Sequence, residues 1–98
     1  GDLPLEQSLF CMEGDPEVAL STIERSADRE GVVVRLWNAA AEKREARLFF
    51  ERPVRTAHRV RLDETIEEPL RVVRGSEIPV KLDPKKIVTV RVTFDAGE

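Results

Sequence analysis

The chain has 98 residues, 41% of them hydrophobic and 36% charged, with a net charge of −3 and a pI near 5.3. That length holds one domain with a thin core, and the composition is too apolar for a disordered chain. The acidic balance argues against a nucleic-acid partner, and no apolar run approaches the roughly 20 residues that a bilayer-spanning helix needs.

The single cysteine, Cys11, excludes an intrachain disulfide and fits a reducing, cytoplasmic compartment. The N-terminus lacks the basic region and apolar core of a signal peptide, so none is expected. Residues 1–6 carry little pattern beyond Leu3 and Leu5 around Pro4 and read as an arriving linker.

Residues 7–13 form the first strand candidate, with Leu9, Cys11 and Glu13 on one side and Ser8, Phe10 and Met12 on the other. Gly14-Asp15-Pro16 is a turn by composition. A second strand spans residues 18–24, where the apolar residues change face between Leu20 and Ile23. That switch predicts a bulge near Ser21. Residues 25–30 are polar and loop-like, and they lead into G-V-V-V-R-L-W-N at residues 31–38. This run is rich in β-branched side chains and alternates Val32, Val34 and Leu36 against Val33, Arg35 and Trp37. It is the expected central strand, opened by Gly31 and closed by Asn38 as turn residues.

Residues 39–43 are too brief for a stable helix and predict a hairpin connection. Residues 45–51 follow as a strand with Ala46, Leu48 and Phe50 on one face, so the adjacent Phe49 points to the other. Pro53 breaks that run. Residues 54–62 alternate Val54, Thr56, His58, Val60 and Leu62 against Arg55, Ala57, Arg59 and Arg61. An acidic turn at 63–68, a short strand at 70–73 and a turn at Gly75-Ser76 come next. In the strand 77–82, Ile78, Val80 and Leu82 point inward and Pro79 outward, which places it at a sheet edge. A turn at 83–86 precedes the last strand, 87–94, with Val88, Val90, Val92 and Phe94 on one face, and residues 96–98 are tail. About eight short strands with regular turn signals and no long helix predict an all-β sandwich or barrel.

Taken together, L-P-L-E-Q-S-L-F, V-A-L-S-T-I-E-R-S-A-D, G-V-V-V-R-L-W-N, L-D-E and P-K-K-I-V-T-V-R-V resemble the C-terminal β-sandwich of glycoside hydrolase family 38 α-mannosidases. That family shows "lPxxxSFl", "vvlSalKxaEd", "RlyN", "lxE" and "PxeIxTlrl" in the same order. Ser8, Ser21, Asp28, Arg35, Leu36, Asn38, Glu64, Pro84, Ile87 and Thr89 stand at matching positions. Glu24 replaces the usual lysine, Ala27-Asp28 stands for Ala-Glu-Asp, and Trp37 replaces tyrosine. The resemblance implies a single immunoglobulin-like antiparallel β-sandwich across residues 1–98, a C-terminal module of an enzyme that cleaves α-mannosides with retention. It also implies that zinc, the nucleophilic aspartate and the acid/base carboxylate belong to an N-terminal barrel of the parent. This chain would then hold no cofactor, and its partners would be the remaining domains of that enzyme.

Tested residue by residue, the chain offers little chemistry of its own. One histidine and one cysteine in separate strands fall short of a zinc ligand set. His58 reads as a packed or edge histidine on the inner side, and Cys11 as an inert buried thiol. Asp63, Glu64, Glu67 and Glu68 crowd one short turn rather than facing each other across a cleft, and read as solvated. Ser8, Ser21, Ser26 and Ser76 have only His58 as a base, and no G-x-S-x-G elbow or phosphate-binding glycine loop occurs. Arg55, Arg59 and Arg61 share a face near Arg52 without interleaved aromatics, which suits a solvated face or pairing with Glu45 and Glu51 rather than nucleic acid.

Trp37 and Phe49 are the remaining candidates, both at the parity opposite to the core. If strands 31–38 and 45–51 pair through the short 39–43 connection, the two rings come together. Such a pair is either covered by loops, a docking patch for the other domains, or a sugar-stacking platform. Alternatives for the whole chain are a free-standing carbohydrate-binding module or a protein-interaction sandwich.

Overall fold

The computed structural model describes residues 9–25, 31–61 and 65–94, with the side chains of 9–11 left out of the description. The linker 1–6, Ser8, Ser26, Asp28, Leu62, Asp63, Glu64, the tail and the Cys11 side chain therefore lie outside the described part. Among the described residues there are eight strands and no helix: β1 (Leu9–Gly14), β2 (Val18–Arg25), β3 (Gly31–Asn38), β4 (Arg44–Phe50), β5 (Val54–Val60), β6 (Ile66–Pro69), β7 (Glu77–Leu82) and β8 (Ile87–Phe94). They form two antiparallel sheets, one of three strands in the order β1-β4-β7 and one of five in the order β2-β3-β8-β5-β6. This is the expected all-β sandwich.

The period-two pattern builds the core directly. Val32, Val34 and Leu36 of β3 and Val88, Val90 and Val92 of β8 face Ala46, Leu48 and Phe50 of β4 and Ile78, Val80 and Leu82 of β7. Each of these Val, Leu, Ile and Phe side chains, fully buried, contributes roughly 1.5–3 kcal/mol. Phe50 and Phe94 close one end of the core edge to face, their centroids 5.5 Å apart. The Arg52 guanidinium lies 4.9 Å from the Phe94 ring, capping that end. β3 has a neighbour on each side, β2 and β8, so it is an interior strand as its composition suggested.

Two bulges decide which way the flanking strands face. In β2 the pairing with β3 shifts between Leu20 and Thr22, leaving Ser21 as the extra residue at the expected place. In β5 a second shift falls between Val54 and Thr56. Beyond it Ala57 pairs with the inward Val92 and His58 with the outward Arg91. His58 is therefore not an inner residue, and Arg59, opposite inward Val90, turns into the sandwich. Its guanidinium crosses to the other sheet and donates to the Lys81 carbonyl at 2.7 Å. The expected Arg55–Arg59–Arg61 stripe on one face is thus broken.

Other expectations need correction. Residues 39–43 are not a hairpin: β3 and β4 lie in different sheets, so this stretch crosses between layers. Residues 66–68 of the expected acidic turn, together with Pro69, form strand β6 on β5, whereas 70–73 make no strand and only Val73 bridges to Glu77. β7 is an edge strand, as Pro79 indicated. That edge is blunted: the Val73 bridge occupies Glu77, Pro79 has no N–H, and Arg59 caps the Lys81 carbonyl.

The sandwich is tied at one end by two polar residues. Arg44, at the start of β4, pairs with Glu17 and Glu42, each at 3.2 Å. Hydrogen bonds to Glu17 and then Glu42 raise its pKa above the ordinary arginine value, so it stays charged at any ordinary pH. Asn38, fully buried at the end of β3, offers its two N–H groups to the carbonyls of Glu42 (2.9 Å), Asp83 (3.1 Å) and Leu82 (3.3 Å). Its Oδ1 accepts from the Ala40 N–H at 2.9 Å. One amide thereby fastens β3, the crossover and the β7–β8 turn.

Candidate docking surface

Among the described residues, no group of three or more His, Cys, Asp or Glu side chains is placed to hold a metal ion. Glu67 sits 3.4 Å from Arg61 and Glu68 3.7 Å from Arg59, so the acidic residues of β6 supply the ion-pair partners that Glu45 and Glu51 were expected to give. Ser21 is on β2 and His58 on β5, with β3 and β8 between them. Three strand spacings separate the two, roughly 14 Å, which rules out a nucleophile–base pair.

Trp37 and Phe49 occupy different sheets, so the paired aromatic patch does not form. Phe49 lies on the outer face of the three-stranded sheet and is half-buried. Its ring is covered by Arg47, whose guanidinium lies 5.9 Å from the centroid. Arg47 in turn is held by Glu13 at 3.2 Å and Glu77 at 3.9 Å. Phe49 is thus already packed within its own sheet.

Trp37 is different. It projects from the outer face of the five-stranded sheet with 45% of its surface exposed. Its cross-strand partner on β8 is Ile87, 59% exposed, and its partner on β2 is the exposed Ala19. Ala19, Trp37 and Ile87 make a flat apolar row across three strands. Ile87 also borders an open cleft of about 330 Å³, whose rim carries Arg61, Glu67, Asp83 and Lys86.

Two other apolar residues of this outer face contrast with that row. Val33 and Val60 also point outward, yet they are only 1% and 3% exposed. Val33 stands between Glu24 and Arg91 in register, with Arg35 two residues on, and long charged side chains cover apolar neighbours with their stems. The apolar surface left open on this face is that row and, on the edge strand β6, Ile66, which stands opposite Val60 and is 56% exposed.

The sequence marks Ile87 only as a position matching the family pattern and does not mark Ala19. Parity placed Ile87 outward, opposite to Val88, but its place beside Trp37 depends on the β3–β8 register. Trp37 and Ile87 lie fifty positions apart in the chain, and no local signal reports that pairing.

A protein-family model described as the glycosyl hydrolases family 38 C-terminal beta sandwich domain matches residues 17–90. The matched span runs from the turn before β2 into β8 and includes Arg35, Trp37, Asn38 and Ile87. Neither the curated proteins nor the solved structures compared with the chain contain a match.

Proposed function

This chain belongs to the glycosyl hydrolase family 38 C-terminal β-sandwich domains, and from that premise we propose that it is a non-catalytic module of an α-mannosidase-like enzyme, packed against the catalytic part. The parent would hydrolyse terminal α-mannosides, with zinc held in its catalytic domain. The observation that supports docking is the open Ala19–Trp37–Ile87 row, on an outer face where Val33 and Val60 are covered. An exposed indole beside an isoleucine on a flat strand surface suits burial against another protein surface. Phe49 has no comparable role in this reading, because Arg47 already covers it.

Calorimetric titration of this chain against the catalytic part of the parent tests the proposal. Trp37→Ala is expected to weaken association by roughly tenfold or more, the loss typical of a buried aromatic anchor. Unchanged affinity would remove Trp37 from the interface. The chain alone is expected to leave an aryl α-mannoside intact with or without added zinc, and turnover by it would refute the non-catalytic role.

A further inference from the structure

The five-stranded sheet is wider than the sheet it packs on, and its outermost strand β2 shows the consequence. Leu20 and Ile23 point inward, opposite Leu36 and Val34, which are fully buried. Yet Leu20 is 40% exposed and Ile23 only half-buried. Among the described residues β2 pairs with β3 alone, so its other edge presents backbone N–H and C=O groups with no strand beside them.

The other edges are poorer templates for pairing. β7 is blunted by Pro79, the Val73 bridge and Arg59. β6 is short, and Glu67, Glu68 and Pro69 fill most of it. On β1 the uncharged run 9–12 ends at Glu13. β2 runs through residues 18–23 without a charge or a proline, the composition that leaves an edge open to a further strand.

The bulge gives this strand a symmetry that a regular one lacks. By register, Val18 and Leu20 face inward with Ala19 outward between them. Past Ser21 the order is Thr22 outward, Ile23 inward, Glu24 outward and Arg25 inward. From either end the faces therefore read in, out, in. A regular strand of even length begins on one face and ends on the other, so it cannot be turned end for end onto itself. Consider β2 antiparallel to a second copy, about a twofold axis between residues 21 and 22. Leu20 then stands opposite the second copy's Ile23, Ala19 opposite its Glu24 and Val18 opposite its Arg25. Both incompletely covered apolar side chains gain an apolar neighbour, and no like charges meet.

We infer that this chain forms a twofold dimer by pairing β2 with β2 of a second copy, which joins the two five-stranded sheets edge to edge. An isologous contact requires this kind of self-complementarity. The contact runs along the sheet edge and leaves Trp37 and Ile87 of the outer face open, so it is independent of the docking reading above.

Sedimentation equilibrium of the chain tests the dimer. The expected result is a monomer–dimer equilibrium that Leu20→Lys weakens by about tenfold or more, because each substitution removes two symmetry-related pairs. Leu20 is already exposed, so the variant should keep a urea midpoint close to that of the wild type, and Trp37→Ala should dimerise as the wild type does. Oxidation of cysteine variants in a Cys11→Ser background reads the register. Leu20→Cys mixed with Ile23→Cys should give a disulfide-linked pair of chains, and neither variant should do so alone. A chain that stays monomeric up to about 1 mM would overturn the dimer. A dimer that tolerates Leu20→Lys, one abolished by Trp37→Ala, or one without the mixed disulfide would overturn pairing through β2.

Discussion

Asn38 shows how one side chain can hold an architecture. Turn propensity alone made it a plausible end to β3, but the structure gives it a larger task, because it is buried and bonded to three segments. Asn38→Ala would take this partner from those carbonyls and from the Ala40 N–H. The expected loss is roughly 3 kcal/mol, read as a lowered urea midpoint with unchanged slope. Asn38→Asp should be no better, since a carboxylate cannot donate to the three carbonyls. Gly31 corrects the sequence in the same direction. It was read as a turn residue, yet it is buried within β3, where a Cβ would drive into the Val92 carbonyl. Gly31→Ala is therefore expected to destabilise by more than the roughly 1 kcal/mol of an average substitution, with thermal unfolding as the check. A sequence shows that a position is glycine, but not whether rotation or close approach requires it.

At the scale of elements, strand faces were legible where alternation ran unbroken. β3, β7 and β8 keep the spans and the inward faces that their apolar residues indicated. The bulge in β2 was legible too, because Leu20 and Ile23 visibly change sides around Ser21. The bulge in β5 was hidden for a physical reason. The residue it turns inward is the small Ala57, while Val60, apolar and nearly fully buried, sits on the outer face. Val54 and Val60 then look like members of one regular face when they are not. The register makes a distinctive demand of this strand. Deleting Arg55 would regularise β5 while keeping Ala57 opposite Val92, so it should cost less than about 2 kcal/mol by chemical denaturation. Were the strand regular, the same deletion would flip every later side chain and unfold the domain. Arg59 carries a related expectation, since it caps the open edge of β7. Arg59→Ala should expose the Lys81 carbonyl and increase self-association in sedimentation experiments.

For the whole molecule, fold class was readable from strand count and turn spacing, while sheet order was not. The short 39–43 connection makes β3 and β4 look like a hairpin. They separate into different layers because β3 is flanked by β2 and β8, a partnership formed across a long stretch of chain. That one difference dissolves the Trp37–Phe49 pair and puts Ile87 beside Trp37 instead. The candidate surface thus depends on tertiary register, and only Trp37 itself could be named in advance. The family was legible because its segments occur in order along the chain, whatever the sheet order.

Trp37 is the only tryptophan in the chain, so its emission reports on this surface alone. Fluorescence of this chain, recorded alone and with the catalytic part of the parent, is the most direct measurement. The account expects red-shifted emission open to acrylamide in the isolated chain, and a saturable blue shift with loss of quenching on mixing. Emission that stays exposed and fully quenchable at saturating partner would contradict the placement of this face at the domain interface.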